Sequence, residues 1–401
     1  MHRSAIEGSC VVPPQSRFGR NSLPPESIVR RVLIYRLGSL GDTVVALPCY
    51  HLVARAYPQA ERMLLTNFPA HAKAPAAAAV LGGSGLVHGY LRYTVGTRRV
   101  GELVRLAWQI RRFRPDLLVY LMPVRPLKNV RRDRLFFRAA GVRRIVGLPG
   151  EEELKHRFDP QKGLYESEAS RLSRSIATLG DTRVQDPESW NLLLTAAERE
   201  AAAEVLGVLG QGPLIVCGPG TKMQAKDWGQ ENWRSLLARL AAEYPRHSLA
   251  LIGAKEEAEI AEYAAQEWTG PKVNLCGRLA PRETAALLTH ADLFLGPDSG
   301  PMHLAASVGV PCAIAFSAAG LPGVWYPTGQ QHQIVYHRTS CLGCKLETCV
   351  VEARRCLTSI TIEEMAAAAA RAMRGQEGSP PSPPVETLRL FEPQTVKKLN
   401  A

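Results

Sequence analysis

The sequence predicts an α/β protein of two doubly wound halves that face one another across a central cleft. Three observations carry that expectation. Short apolar runs of strand length alternate with amphipathic or alanine-rich stretches of helix length, the signature of a parallel sheet with crossover helices. The pattern starts at residue 31, loses its period in DTRVQDPESWN (181–191) and then begins again. Glycine-bearing turns follow several of the strands, at the ends where open α/β sheets bind ligands. With 401 residues, 46% hydrophobic and 21% charged, the chain has apolar material for two ordinary domains.

In chain order, RVLIYRL (31–37) reads as a fully buried first strand running into a turn with Gly38, Ser39 and Gly41, and Asp42 stands at the start of the next helix. ERMLLTN is a second strand, followed by an alanine-rich helix from Ala70 to Val80. A strongly basic segment comes next, then FRPDLLVYLMP and IVGLPG as strands and Ser167 to Leu179 as a helix. A polar alanine-rich helix, Ala196 to Leu209, opens the second half, and PLIVCGPGT is its first strand. NWRSLLARLAAEY, KEEAEIAEYAAQ and PRETAALLTHA are then helices between the strands HSLALIG, VNLCG and DLFLGPDSG, with AIAF a further strand. A helix within Thr361 to Arg374 closes the pattern. The expected domains are therefore 31–190 and 191–375, with a disordered extension at 1–30 and a disordered Pro-rich tail at 376–401.

The stretch DLFLGPDSGPMHLAASVGVP (292–311) combines a buried strand, a tight polar turn and a helix start. Backbone N–H groups and the positive end of the helix dipole converge at Ser299 and Gly300, which suits an anionic group. Asp298 cannot bind a phosphate but suits hydroxyls such as those of a ribose, and His303 can donate to a phosphate oxygen. The competing role for Asp298 and Ser299, as for Asp42, is that of a helix cap.

The formal charge is +12, and its distribution matters more than its size. Between Arg98 and Arg144 there are fourteen Lys and Arg against Glu102, Asp116 and Asp133, a local balance of +11 that leaves the remainder nearly neutral. One face thus carries the field, which points to an anionic membrane or an acidic substrate. Aromatics are only 6% of the chain and no nucleic-acid motif is present, so nucleic acid is not an expected partner. No apolar run approaches the roughly 18 residues of a membrane span, which predicts a cytoplasmic protein. Of nine cysteines, Cys10, Cys49, Cys217, Cys276 and Cys312 are scattered, while Cys341, Cys344, Cys349 and Cys356 have spacings a structural zinc site could use. The preferred reading of these four is reduced, partly buried thiols, with no catalytic metal.

VLIYRLGSLGDTVVALP (32–48), GPGTKMQAKDWGQENW (218–233) and GPDSGPMHLAASVGVP (296–311) together resemble the lipopolysaccharide heptosyltransferase family, glycosyltransferase family 9, and the resemblance extends from about residue 31 to 374. It implies a GT-B architecture of two Rossmann-like domains, with the donor nucleotide mostly on the second and the acceptor mostly on the first. It also implies a metal-independent inverting enzyme, without cofactor, that moves heptose from ADP-heptose to an anionic glycolipid acceptor, the lipopolysaccharide core, at the inner face of the inner membrane. Carried over by motif, Asp42 would be the catalytic base, Lys226 would bind the donor phosphates, and Asp298, Ser299, Gly300 and His303 would hold the ribose and diphosphate. Glu256 would contact the nucleotide. The alternative on the same scaffold is a non-catalytic sugar-nucleotide or glycan-binding protein, which needs Lys226 and Asp298 but not Asp42.

Overall fold

The computed structural model describes residues 29–67, 76–210 and 212–375. The expected extension up to residue 28, the expected tail, Cys10 and positions 70–75 of the expected alanine-rich helix lie outside them. The first half contains β1 (Arg31–Tyr35), α1 (Leu40–Val44), α2 (Leu47–Ala56), β2 (Glu61–Thr66), α3 (Ala78–Leu81), β3 (Gly89–Arg92), α4 (Val100–Phe113), β4 (Leu117–Tyr120), α5 (Leu127–Ala139) and β5 (Ile145–Val146). Its strands form a parallel sheet in the order β3-β2-β1-β4-β5. Successive residues of β1 serve opposite faces, as the two-residue period of a strand requires. Val32 and Ile34 enter the main core with Leu47, Tyr50 and Val53 of α2, whereas Leu33 and Tyr35 join Leu106 and Ile110 of α4 and Phe137 of α5 in a second core. Both faces are covered, so the strand reads as an unbroken apolar run.

A short antiparallel hairpin of β6 (Phe158–Asp159) and β7 (Leu164–Tyr165) and helix α6 (Glu168–Ser175) lead toward the junction. There Asp186 caps a 3₁₀ turn and Trp190 is buried. The second half runs α7 (Ala196–Leu209), β8 (Leu214–Cys217), α8 (Gln230–Glu243), β9 (Ser248–Leu251), α9 (Ala258–Ala264), β10 (Lys272–Asn274), α10 (Pro281–Leu288), β11 (Leu293–Pro297), α11 (Gly300–Ser307), β12 (Cys312–Phe316), β13 (Gln333–Tyr336), α12 (Arg355–Thr358) and α13 (Ile362–Arg374). Its parallel sheet has the order β10-β9-β8-β11-β12-β13. Thr195 starts α7 with a reciprocal capping box to Glu198, which explains why that helix begins where its sequence says it should.

The two halves are joined at several points. Arg282 of α10 donates to the carbonyls of Val80, Leu192 and Leu193 at 2.8–3.0 Å and pairs with Glu198. Elsewhere the Tyr165 and Glu168 N–H groups donate to the Pro322 and Val324 carbonyls at 2.8 and 2.9 Å. Among the described residues no helix is long and apolar enough to cross a membrane.

Candidate active site

β1 and β11, the strands leading into the two conspicuous turns, deliver a short helix each, α1 and α11, and these helices pack against one another across the cleft. At the first turn Gly38 has φ +149°, its N–H donates to the Asn67 side chain at 2.8 Å, and a Cβ on it would lie 2.2 Å from the Cβ of Asp42. Only glycine leaves Asp42 its place. The Asp42 Oδ2 accepts from the Ser39 N–H at 2.8 Å and from the Ser39 hydroxyl at 2.9 Å, so the carboxylate reaches back over the helix start. Its Oδ1 lies 3.6 Å from Arg36 Nη2, and the Asp42 side chain retains 23% exposure.

Arg36 is a residue that sequence reasoning missed. Its side chain is 1% exposed, and it donates to the Asp42 carbonyl at 2.9 Å and the Leu121 carbonyl at 2.8 Å and pairs with Glu168 at 3.4 Å. Glu168, also 1% exposed, is held in turn by Arg171 through two hydrogen bonds of 2.7 and 2.8 Å. Two guanidinium groups thus face two carboxylates, the balance that a buried ionic cluster needs. The available signal was an arginine at the end of an otherwise apolar strand; its partner lies 132 residues away.

At the second turn Asp298 is buried and its Oδ2 pairs with Lys226 Nζ at 2.8 Å. Two of the residues expected on the donor side are therefore in direct contact. Ser299 precedes α11 in extended conformation, and its hydroxyl is buried without a hydrogen-bond partner among the described residues. That orphan group at a helix N-terminus is what an anionic oxygen would satisfy. His303 is buried at 6% exposure, and burial drives its imidazole down to about 4, against an opposing effect of the Asp298 carboxylate. It is a neutral ring at pH 7, able to donate one N–H but not to supply charge.

The turns come closest at their glycines. A Cβ on Gly41 would meet the His303 ring at 2.9 Å, and one on Gly300 would meet Leu40 at 3.0 Å. Asp42, Ser39 and Gly41 from one half and Ser299, Gly300 and His303 from the other are thereby brought together. Glu256 is exposed, and it is the next residue, Glu257, whose carboxyl lies against Gly220 and Gly253 and accepts from the Ala254 N–H at 2.7 Å. Choosing between adjacent glutamates depends on the 3₁₀ turn at 255–257, which periodicity does not reveal.

Cys341, Cys344 and Cys349 are half-buried and Cys356 is buried, all as free thiols. The described residues form no group of three or more His, Cys, Asp or Glu placed to hold a metal. Cys349 instead accepts from the Arg354 N–H at 3.3 Å, and backbone donors and Arg354 hold its thiol below the ordinary value despite burial. The loop that carries these cysteines braces the Lys226 turn: the Ala225 N–H donates to Glu347, the Cys349 N–H to the Gln224 side chain, and Arg354 to Asp227, at 2.9–3.0 Å. A cavity of about 660 Å³ lies beside the site between the β6-β7 hairpin and residues 323–334, reaching it through His303, with Arg157 and Lys162 in its wall.

A family model described as glycosyltransferase family 9 (heptosyltransferase) matches residues 135–354. Over 173 residues the chain is 26% identical to lipooligosaccharide heptosyltransferase 2 of Campylobacter jejuni, covering 40% of this chain and 53% of that one, so it spans about half the length of that curated relative. The crystal structure of a family 9 glycosyl transferase from Veillonella parvula aligns with a TM-score of 0.66 at 16% identity, over 86% of this chain and 98% of the other. Escherichia coli ADP-heptose lipopolysaccharide heptosyltransferase II aligns with a TM-score of 0.59 at 17% identity, over 87% and 100%. At such identities the structures speak for the fold, a GT-B arrangement of two Rossmann-like domains.

Proposed function

Since the chain belongs to glycosyltransferase family 9, the heptosyltransferase family, we propose that it transfers heptose from ADP-heptose to a lipopolysaccharide core or related anionic glycan, with inversion and without a catalytic metal. The observation that carries the chemistry is the meeting of a carboxylate turn from one half with a helix-start turn bearing an unpartnered hydroxyl from the other, at a separation that leaves almost no room for a side chain on Gly41 or Gly300. The donor diphosphate takes the Ser299 hydroxyl and the free N–H groups that start α11. Lys226 turns from Asp298 to the phosphates, and Asp298 is released to the ribose hydroxyls. His303 donates its single N–H to a phosphate oxygen. Glu257, beside the Gly220 turn, takes the nucleotide contact expected of Glu256.

On the opposite side, Asp42 accepts the proton of the acceptor hydroxyl as its oxygen attacks the anomeric carbon. The bond from that carbon to the diphosphate oxygen breaks with its electron pair going to ADP, and attack from the far face inverts the centre. Arg36 balances the Asp42 charge beforehand and Ser39 fixes its orientation, leaving the carboxylate partly open to the cleft. The cavity beside His303, with Arg157 and Lys162 on its wall, gives an anionic acceptor its approach.

The test combines binding with turnover. ADP-heptose at a hundred times its dissociation constant adds about 2.7 kcal/mol of stability, and with a heptose-deficient core acceptor the protein releases ADP and extends the acceptor by one sugar. Stabilisation without turnover on any core acceptor would establish the non-catalytic binding protein instead. Stabilisation by a different nucleotide sugar and not by ADP-heptose would overturn the donor assignment.

A further inference from the structure

The basic segment is not simply a charged surface. α4 and α5 cover one face of the first sheet, with Leu106, Ile110 and Phe137 turned into its second core. On the outer side of α4, Val100, Val104 and Trp108 are 72%, 61% and 58% exposed. Their spacing of four residues makes them a single stripe along the helix. Leu135 of α5 is 71% exposed, and Val95, in the loop before α4, is 58% exposed. Exposed arginines rim the stripe, including Arg99, Arg105 and Arg112 on or beside α4 and Arg131, Arg134 and Arg138 on α5. Arg112 lies over the Trp108 ring, 5.4 Å from its centroid.

Little negative charge offsets this rim. Asp133 is buried and paired with Arg125 and Arg132, Asp116 is taken by the backbone N–H groups of Arg30 and Arg31, and Glu102 faces Arg99. A face meant only for water has no use for a stripe of valine and tryptophan, and one meant for a free anionic sugar has none either. A bilayer with acidic headgroups takes both parts, the apolar side chains at the boundary of headgroup and acyl chain and the guanidinium groups on lipid phosphates. Chain topology sets the stripe near the chemistry: α4 runs back from the carboxyl end of β3, so its Val100 end lies at the sheet edge that also carries the Asp42 turn.

We propose that the outer face of α4 and α5 docks on an anionic lipid bilayer, with Val100, Val104 and Trp108 entering its interface. The docking rests on the stripe and its rim alone; its purpose, presenting the cleft to a lipid-borne acceptor, rests on the glycosyltransferase reading.

The full chain, without nucleotide, is mixed with vesicles of phosphatidylcholine alone or of phosphatidylcholine with phosphatidylglycerol, some carrying brominated acyl chains. Trp108 is the one exposed tryptophan among the described residues, so tryptophan emission reports the stripe. The expected result is co-sedimentation with the acidic vesicles, weakened by salt, with a blue shift and bromine quenching. Val104→Asp and Trp108→Gln, at exposed positions that leave the core intact, each lower the partition coefficient about tenfold or more while circular dichroism and heptose transfer to a soluble acceptor fragment stay unchanged. Equal binding to neutral vesicles overturns the proposal. Acidic-vesicle binding without quenching and indifferent to Val104→Asp reduces the face to a charge patch and also overturns it. Retention by an oligonucleotide, or a dimer broken by Val104→Asp, with no vesicle binding identifies another partner and does the same. Loss of transfer with docking intact would sink the catalytic reading and leave this one standing.

Discussion

The two helix starts that face each other across the cleft are finished to different degrees. At α1 the Asp42 carboxylate already accepts from Ser39 twice and has Arg36 beside it. At α11 the Ser299 hydroxyl is buried and unpartnered among the described residues, and Lys226 is engaged by Asp298 rather than by anything of greater charge. The first turn is complete as it stands, whereas the second keeps a polar group without a partner among the described residues. On the proposed mechanism, this difference separates a group oriented for proton transfer from groups that yield when a diphosphate enters.

The sharpest way to break the comparison is Asp42→Asn, which keeps an acceptor for the Ser39 N–H but removes the proton acceptor. We expect kcat to fall about a hundredfold or more with donor affinity nearly unchanged. Loss of about 1 kcal/mol of stability with near-normal kcat would show Asp42 to be a helix-start residue only.

An effect of comparable size is on pH. Burial holds His303 and His332 near 4, below the ordinary 6.5. The unfolded chain therefore binds protons that the native state refuses between those values. The stability contributed by the neutral rings is intact above pH 6.5 and is lost as pH falls toward 4, by roughly 3 kcal/mol for each histidine. Urea midpoints measured from pH 7 to 4.5 check this, and a His303→Gln variant that keeps the full slope would remove His303 from the explanation.

Lys226→Ala tests the unfinished side. ADP binding weakens by about 1.5 to 3 kcal/mol, the scale of a charge-assisted hydrogen bond. The free protein also loses stability, because a buried Asp298 is left without its partner, so calorimetric affinity and not the melting temperature is the deciding measurement. The smallest effect belongs to Ser299→Ala. It removes an unsatisfied buried hydroxyl, so the free protein keeps its stability while ADP binds about 1 kcal/mol more weakly. Destabilisation of the free protein with unchanged ADP affinity would mark Ser299 as a cap.

The same contrast between local and distant determinants decides what could be read in the sequence. α7, β8 and β11 announce themselves because a capping box or an all-buried run is a local signal. The half-exposed edge strand β3 and the outer strand β13 are not legible, since each exists through pairing with a strand well back along the chain, and the two-residue strands of the hairpin are too short to show an alternating pattern. Helices α4 and α5 were obscured by their arginines, which hide the buried Leu106, Ile110 and Phe137. In the site, the two motif turns were legible as strand, glycine and helix. Their meeting through Gly41 and His303 was not, nor was the Arg36–Glu168 pairing, because both depend on how separate elements pack.

Gly41 also works as a clearance gauge between the domains. With hydrogen at that position the His303 ring can close down on the α1 turn; a methyl group would come within 2.9 Å of the ring and act as a shim. If the donor is held mainly by the second domain, as proposed, a shim of a few tenths of an ångström would be felt least by ADP. It would be felt most by a reaction whose two partners are carried on different domains, where a misplacement of about 1 Å costs on the order of a hundredfold in rate. On the proposed mechanism, the smallest side chain in the cleft therefore sets the distance over which the largest rearrangement of electrons takes place.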